Sequence, residues 1–349
     1  MNIGIPREIK NNENRISMTP AGVHDLVRLG HIVTVETGAG LGSGYSDADY
    51  ATAGAVLGPA EDCWRGGLVV KVKEPQPAEY KYFRPDLILF TYLHLAAVPE
   101  LSAEIRRTDL KAIAYETVQL DNGSLPLLAP MSDIAGRIGA LMAAQYLLRT
   151  QGGPGLLPGG IPGAEKARFT ILGAGHAGQG ALQYAVGMGA DVTVLDISLP
   201  RLSQLEDQYQ TRIRTLYSNH QNIFEAVTHS NAVISTVLIP GAHAPCLITE
   251  EMVKAMAPGS VIVDIAIDQG GSVETVDHAT THDNPVFIKH GVIHYAVANI
   301  PGAAPRTATA ALANATLPYV KELAEYGLAA CHLNAALGRG LVLPLENIQ

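Results

Sequence analysis

The sequence predicts an α/β protein of two domains, each built on a mainly parallel sheet with helices on its faces. Three observations carry this. Short apolar runs of buried-strand type alternate with amphipathic helical patterns along most of the chain. The length of 349 residues is two to three times that of a domain of about 150. Only 16% of residues are charged and 47% are hydrophobic, against about 25% charged in an average soluble protein. Much of the chain must therefore be buried.

The elements follow in order. Residues 3–5 read as a short strand. Thr19 and Pro20 supply an N-cap and a first-turn proline, and Val23, Leu26 and Val27 then share a helical face until Gly30. Residues 32–35, 68–72 and 87–90 read as strands, and a helix over 99–107 leads into a strand over 111–115. The first long helical pattern is 131–149, with Ile134, Ile138, Leu141 and Met142 on its apolar positions. The stretch 152–163 is so dense in Gly and Pro that it marks a loop or hinge. A second series follows: strand 168–172, helix 177–188, strand 191–195, and strands at 232–236 and 261–265. The last long helical pattern is 309–326.

Composition removes several function classes. The formal net charge is −9, and Lys and Arg form no run longer than Arg106-Arg107, so nothing favours nucleic acid or an anionic membrane. Cys63, Cys246 and Cys331 are odd in number and far apart, which reads as reduced thiols in a cytoplasmic protein. No stretch reaches the ~18 uninterrupted apolar residues of a membrane span. The first residues alternate in charge (Arg7, Glu8, Lys10) where a signal peptide needs an apolar core. His278 and His282 are four apart, but the residues around them read as loop, so no metal is expected.

The motif Gly173-Ala174-Gly175-His176-Ala177-Gly178 fits G-x-G-x-x-G, follows an apolar strand and opens a helix. Its first glycine permits a tight turn, its second lets the backbone approach a pyrophosphate, and its third lets helix pack closely on strand. The helix N-terminus adds unpaired N–H groups and positive dipole. The next strand ends in Asp196, whose carboxylate suits both ribose hydroxyls and repels a 2′-phosphate, favouring NAD over NADP. Arg201 is close enough in sequence to point the other way. His176 reads as an x-position whose backbone matters more than its ring.

A nicotinamide substrate site needs a cation for a carboxylate and a proton carrier near neutral pH. Arg15 lies in a polar loop after the first strand. Lys73, His94 and Asp268 each follow an apolar run, and ligands of open α/β sheets collect beyond the C-terminal strand ends. Singly each has a bland reading: a solvated lysine, a core histidine, a turn aspartate. Their shared topological position tips the balance.

The segment from Gly4-Ile5-Pro6-Arg7-Glu8 to Arg15 resembles NAD-dependent alanine dehydrogenases. So do Lys71-Val72-Lys73-Glu74-Pro75, Thr91-Tyr92-Leu93-His94-Leu95, Ala114-Tyr115-Glu116-Thr117-Val118 and Asp264-Ile265-Ala266-Ile267-Asp268-Gln269-Gly270-Gly271. The resemblance runs to about Tyr326. It implies two Rossmann-like, doubly wound domains joined by long helices across a cleft: a discontinuous catalytic domain of 1–127 plus 305–349, and an NAD domain of 128–304. It places substrate-binding roles on Arg15 and Lys73, acid/base work on His94, and a second catalytic role on Asp268. NAD contacts fall on Ser132, the glycine loop with His176 and Ala177, Asp196, Arg201, Ser218, Val237, Leu238, Ile265 to Asp268 (with Ala266 and Ile267), and Val297, Ala298, Asn299 and Ile300.

The implied reaction is reversible oxidative deamination of L-alanine to pyruvate and ammonium, by a cytoplasmic homo-oligomer, most often a hexamer in the family. The chain departs from the usual pattern at Asp133, Pro158 and Ala308, and in a longer loop at 276–279, none of them a proposed catalytic residue. Other readings are a transhydrogenase-like NAD(H)-binding subunit, a catalytically silent NAD-sensing protein, and a dehydrogenase preferring glycine and glyoxylate.

Overall fold

The structure is a computed structural model that describes residues 1–237 and 244–342. It divides into two compact units, Met1–Met131 with Ala304–Gln349, and Ser132–Ala303.

The first unit is built on six parallel strands: β1 (Asn2–Ile5), β2 (Ile32–Glu36), β3 (Val56–Gly58), β4 (Leu68–Val70), β5 (Ile88–Thr91) and β6 (Lys111–Ala114). Their order is β3-β2-β1-β4-β5-β6, so the winding reverses between β1 and β4. Helix Pro20–Arg28 begins as its sequence dictates, with the Thr19 hydroxyl accepting from the Gly22 amide at 3.3 Å and Pro20 in the first turn. Strand β4 stops at Val70, two residues earlier than its apolar run. The Val72 amide leaves the ladder and donates to Glu8 Oε1 at 2.6 Å. Strand β3 and the flanking helices Asp47–Thr52 and Ala60–Trp64 escape a periodicity reading because none exceeds six residues.

The second unit holds β7 (Arg168–Leu172), β8 (Asp191–Asp196), β9 (Ile213–Tyr217), β10 (Ala232–Ser235), β11 (Val261–Asp264), β12 (Val286–Lys289) and β13 (Val292–Tyr295). The order is β12-β13-β11-β10-β7-β8-β9, all parallel except the β12–β13 pair. Alternate strand residues feed two cores: Phe169, Ile171, Ile234 and Val263 on one face, Leu172, Val233 and Ile262 on the other. A sheet covered on both faces accounts for the near-continuous apolar strands and the low charge.

The division between units falls inside helix Ala129–Tyr146 and just ahead of helix Pro305–Tyr326. The first ends before Arg149, because the Gly/Pro-rich loop folds back: Gly155 N donates to Leu147 O at 2.9 Å and Gly153 N to Leu148 O at 3.1 Å. The second starts earlier than its apolar pattern, with Pro305 in its first turn. No described helix is long and apolar enough to cross a membrane.

Candidate active site

Strands β1, β4 and β5 are neighbours in one parallel sheet, so the segments leaving them emerge along one edge. Those segments carry Arg15, Lys73 and His94. The β1–β4 boundary is where the winding reverses, the place where open sheets form a ligand crevice.

Arg15 is only 2% exposed. Its Nε donates to Glu13 Oε1 at 2.7 Å, its Nη2 to Glu13 Oε2 at 2.5 Å, and its Nη1 to Met131 Sδ at 3.1 Å. Burial opposes the charge, but the bonds and charge of Glu13 outweigh it and raise the guanidinium pKa. The loop is pinned on either side of Arg15. Ser43 Oγ donates to Asn14 O at 2.9 Å, and Thr309 Oγ1 accepts from Ile16 N at 3.0 Å. Lys73 is buried, and Thr91 Oγ1 donates to its carbonyl at 2.9 Å. Just before it, Lys71 lies fully buried between Glu8 at 3.1 Å and Glu79 at 2.9 Å. Burial pushes the Glu8 carboxyl up, against the pull of Lys71 and the Val72 amide. This buried trio locks the approach to Lys73 onto the first strand.

His94 occupies left-handed backbone, φ 48°, where a non-glycine residue is strained. Glu116 holds the turn, Oε1 accepting from His94 N at 2.6 Å and from Leu93 N at 3.1 Å. The ring stacks on Tyr92 at 5.8 Å between centroids. Its Nδ1 lies 3.0 Å from Glu74 Oε2, and Lys10 pairs with the other oxygen, Glu74 Oε1. Burial alone would raise Glu74, yet the His94 and Lys10 bonds hold it down at about 2. Glu13, Glu74 and Glu116 were not singled out by sequence. All three lie within recognisable blocks, but the partners of Glu74 and Glu116 are 20 or more residues away.

In the second unit the candidate cofactor residues follow six parallel strands: the glycine loop after β7, Asp196 ending β8, Ser218 after β9, Val237 after β10, Ile265 to Asp268 after β11, and Val297 to Ile300 after β13. Ser132 lies in the first turns of helix Ala129–Tyr146, and Leu238 lies outside the described residues. Gly173 turns at φ 97°. A Cβ on Gly178 would fall on the Gly173 carbonyl oxygen, so only glycine lets helix His176–Gly187 close on β7. Gly175 differs. Its φ is −68° and a Cβ there would meet nothing within 4 Å among the described residues. Among the described residues nothing requires glycine at 175, so the bare backbone there fits the close approach of a pyrophosphate.

Asp196 Oδ2 accepts from Ala174 N at 2.6 Å and Oδ1 from Ser198 N at 2.7 Å, which ties the end of β8 to the glycine loop and leaves lone pairs for a diol. Arg201 donates through Nε to Ala174 O at 3.0 Å and through Nη1 to Gln204 at 2.9 Å. That guanidinium supports the loop's backbone. After β11, buried Asp264 accepts from Ala266 N at 3.1 Å and Ser272 N at 2.9 Å; burial raises its pKa against these bonds. The turn so formed presents Asp268, exposed, with Oδ2 accepting from Asn299 N at 3.2 Å. Ala266, Val297 and Ile300 are buried, whereas His176 is exposed. His278 pairs with Asp277 at 2.5 Å, and His282 Nε2 lies 3.2 Å from Asn299 O.

Two family models together cover nearly the whole chain: the N-terminal domain of alanine dehydrogenase/PNT over residues 4–135, and its C-terminal domain over 139–348. Alanine dehydrogenase of Bacillus subtilis (strain 168) is 55% identical over 98% of this chain and 90% of its own length. That of Geobacillus stearothermophilus is 55% identical over 98% and 92%. A solved L-alanine dehydrogenase superposes with a TM-score of 0.95 at 51% identity, covering 98% of this chain and 95% of that one. The transhydrogenase from Sinorhizobium meliloti superposes at 0.82 and 27% identity, covering 93% and 95%. The chain belongs to the alanine dehydrogenase/PNT family.

Proposed function

We propose that this chain is an NAD-dependent L-alanine dehydrogenase, interconverting L-alanine with pyruvate and ammonium. The observation that carries the chemistry is the placement of Arg15, Lys73 and His94 beyond three adjacent parallel strands, at a sheet's winding reversal. The identity of 55% to enzymes named alanine dehydrogenase supports this reading over a transhydrogenase-like subunit, whose solved counterpart is 27% identical. NAD, when bound, supplies the acceptor for the C2 hydride. The glycine-loop amides and Asp196 are the groups that hold it, and a carboxylate at 196 favours NAD over its 2′-phosphorylated form.

Arg15 and Lys73 hold the carboxylate and carbonyl oxygen of pyruvate, or the corresponding groups of alanine. Arg15 is suited to this because Glu13 already fixes its plane and burial strengthens each bond it makes. His94 moves the proton at the C2 oxygen as water and ammonia exchange there. Asp268 orients the incoming water or ammonia and balances positive charge developing at nitrogen. The active particle is a homo-oligomer, as is usual for the family, in the cytoplasm.

The test is NADH formation by the purified chain from L-alanine and NAD, and the reverse reaction from pyruvate and ammonium, with glycine and glyoxylate alongside. His94→Ala should lower turnover by at least ~10²-fold while NAD binding persists. Near-normal turnover in that variant removes His94 from the mechanism. NAD binding without amino-acid oxidation by the unaltered chain favours the silent sensor.

A further inference from the structure

His94 has two ring nitrogens, and only the one that faces the reacting atoms can exchange their proton. Four side chains surround it from the neighbouring segments. Tyr92 stacks on the ring, Glu116 takes the backbone amide, Glu74 reaches Nδ1 from the segment after β4, and Lys10 grips Glu74 from the loop after β1. His94 Nε2 has no hydrogen-bond partner among the described residues. Glu74 stays ionised across the neutral range and is therefore an acceptor only.

We infer that Glu74 is the positioning residue of the acid/base histidine: it takes the proton of Nδ1–H, so that the neutral ring presents an unprotonated Nε2 to the substrate. Lys10 belongs to the same device, because its ammonium donates to Oε1 and turns Oε2 toward the ring. The segment after β4 thus has two duties, a substrate-binding lysine at 73 and a tautomer-setting carboxylate at 74. The inference rests on the reading of His94 as the proton carrier.

The arrangement makes an unusual demand of substitutions. In Glu74→Gln, the amide oxygen stays with Lys10, an obligate donor, and the NH2 group faces Nδ1. Nδ1 must then accept, and the ring proton moves to Nε2, the wrong place. Glu74→Ala imposes neither tautomer. The isosteric change should thus be the worse one, the reverse of what a packing or ion-pair role produces. We expect kcat to fall about 10-fold in Glu74→Ala and at least about 100-fold in Glu74→Gln, with KM for pyruvate within about twofold. Adding Lys10→Ala to Glu74→Gln frees the amide to rotate its oxygen toward Nδ1–H, so the double variant should recover at least about 10-fold over Glu74→Gln. NAD titration and a thermal melt confirm that each variant is folded. A glutamine variant milder than the alanine one, or no recovery on removing Lys10, overturns the inference. His94→Ala separates the two claims. If it abolishes turnover while Glu74→Gln stays at the wild-type rate, the histidine reading stands and the positioning role falls. If it leaves turnover intact, both fall.

Discussion

In the first unit the strand ends carry ionisable side chains tied to one another: Arg15 to Glu13, Lys71 to Glu8 and Glu79, Glu74 to His94 and Lys10. In the second unit the corresponding ends carry glycines and short side chains, with Asp196, Asp264 and Asp268 as acidic members. Both sheets are open, mainly parallel and wound in two directions, so under the proposed function the difference lies in what each edge must grip. A small substrate offers a carboxylate and one reacting carbon, and meeting it takes a few directional charges, pre-fixed by partners. A dinucleotide offers a long polar backbone, and meeting it takes donors spread over several strand ends with no side chain in the way. Edge chemistry, not fold, separates the two units.

The largest effect expected from breaking this contrast is in the first unit. Lys71→Ala leaves Glu8 and Glu79 buried without their cation, and stability should fall by about 3–5 kcal/mol, read by urea denaturation. A loss below ~1 kcal/mol would mean that buried charge is not what braces that edge. In the second unit the glycines should divide. Gly178→Ala forces helix His176–Gly187 off β7 and should cost about 1–3 kcal/mol. Gly175→Ala should change stability by less than about 0.5 kcal/mol, because its Cβ meets nothing among the described residues, while weakening NAD binding by about tenfold or more. Equal stability losses in the two variants would show that Gly175 serves the fold and not the ligand. The smallest effect is on the cysteines. Cys246 is exposed, whereas Cys63 is buried with its thiol pushed up to about 12 by burial, so alkylation of the folded chain should label Cys246 and spare Cys63. Peptide mapping after iodoacetamide reads this directly.

Much of the site was legible because its members sit next to strong local signals. Lys73, His94 and Asp268 each follow an apolar run, Arg15 lies in the polar loop after the first strand, and the glycine motif sits between a strand and a helix. Short elements were not legible: β3 has three residues and helix Ala60–Trp64 five, too few for a period to show. The ends of strands were legible only approximately. Sequence extends the strand that Leu68 begins to Val72, but the Val72 amide turns from the ladder to Glu8, 64 residues away. Burial of Lys71 in a run of valines, Glu74 facing His94, and the left-handed turn held by Glu116 all depend on partners distant in sequence.

Sequence alone specifies most of the longer strands and helices, the apolar character of the central strands, and the residues that stand at the C-terminal ends of those strands. Those properties follow from period, capping and composition, which act within a few residues. Only the tertiary structure decided which strand ends are neighbours, which carboxylate meets which cation, and which nitrogen of His94 is engaged. Sheet order brings β1, β4 and β5 side by side from positions 2, 68 and 88, and no local rule specifies such pairings. The chemistry of this edge depends on charges within about 3 Å of one another, a distance that the order of strands, not the order of residues, controls.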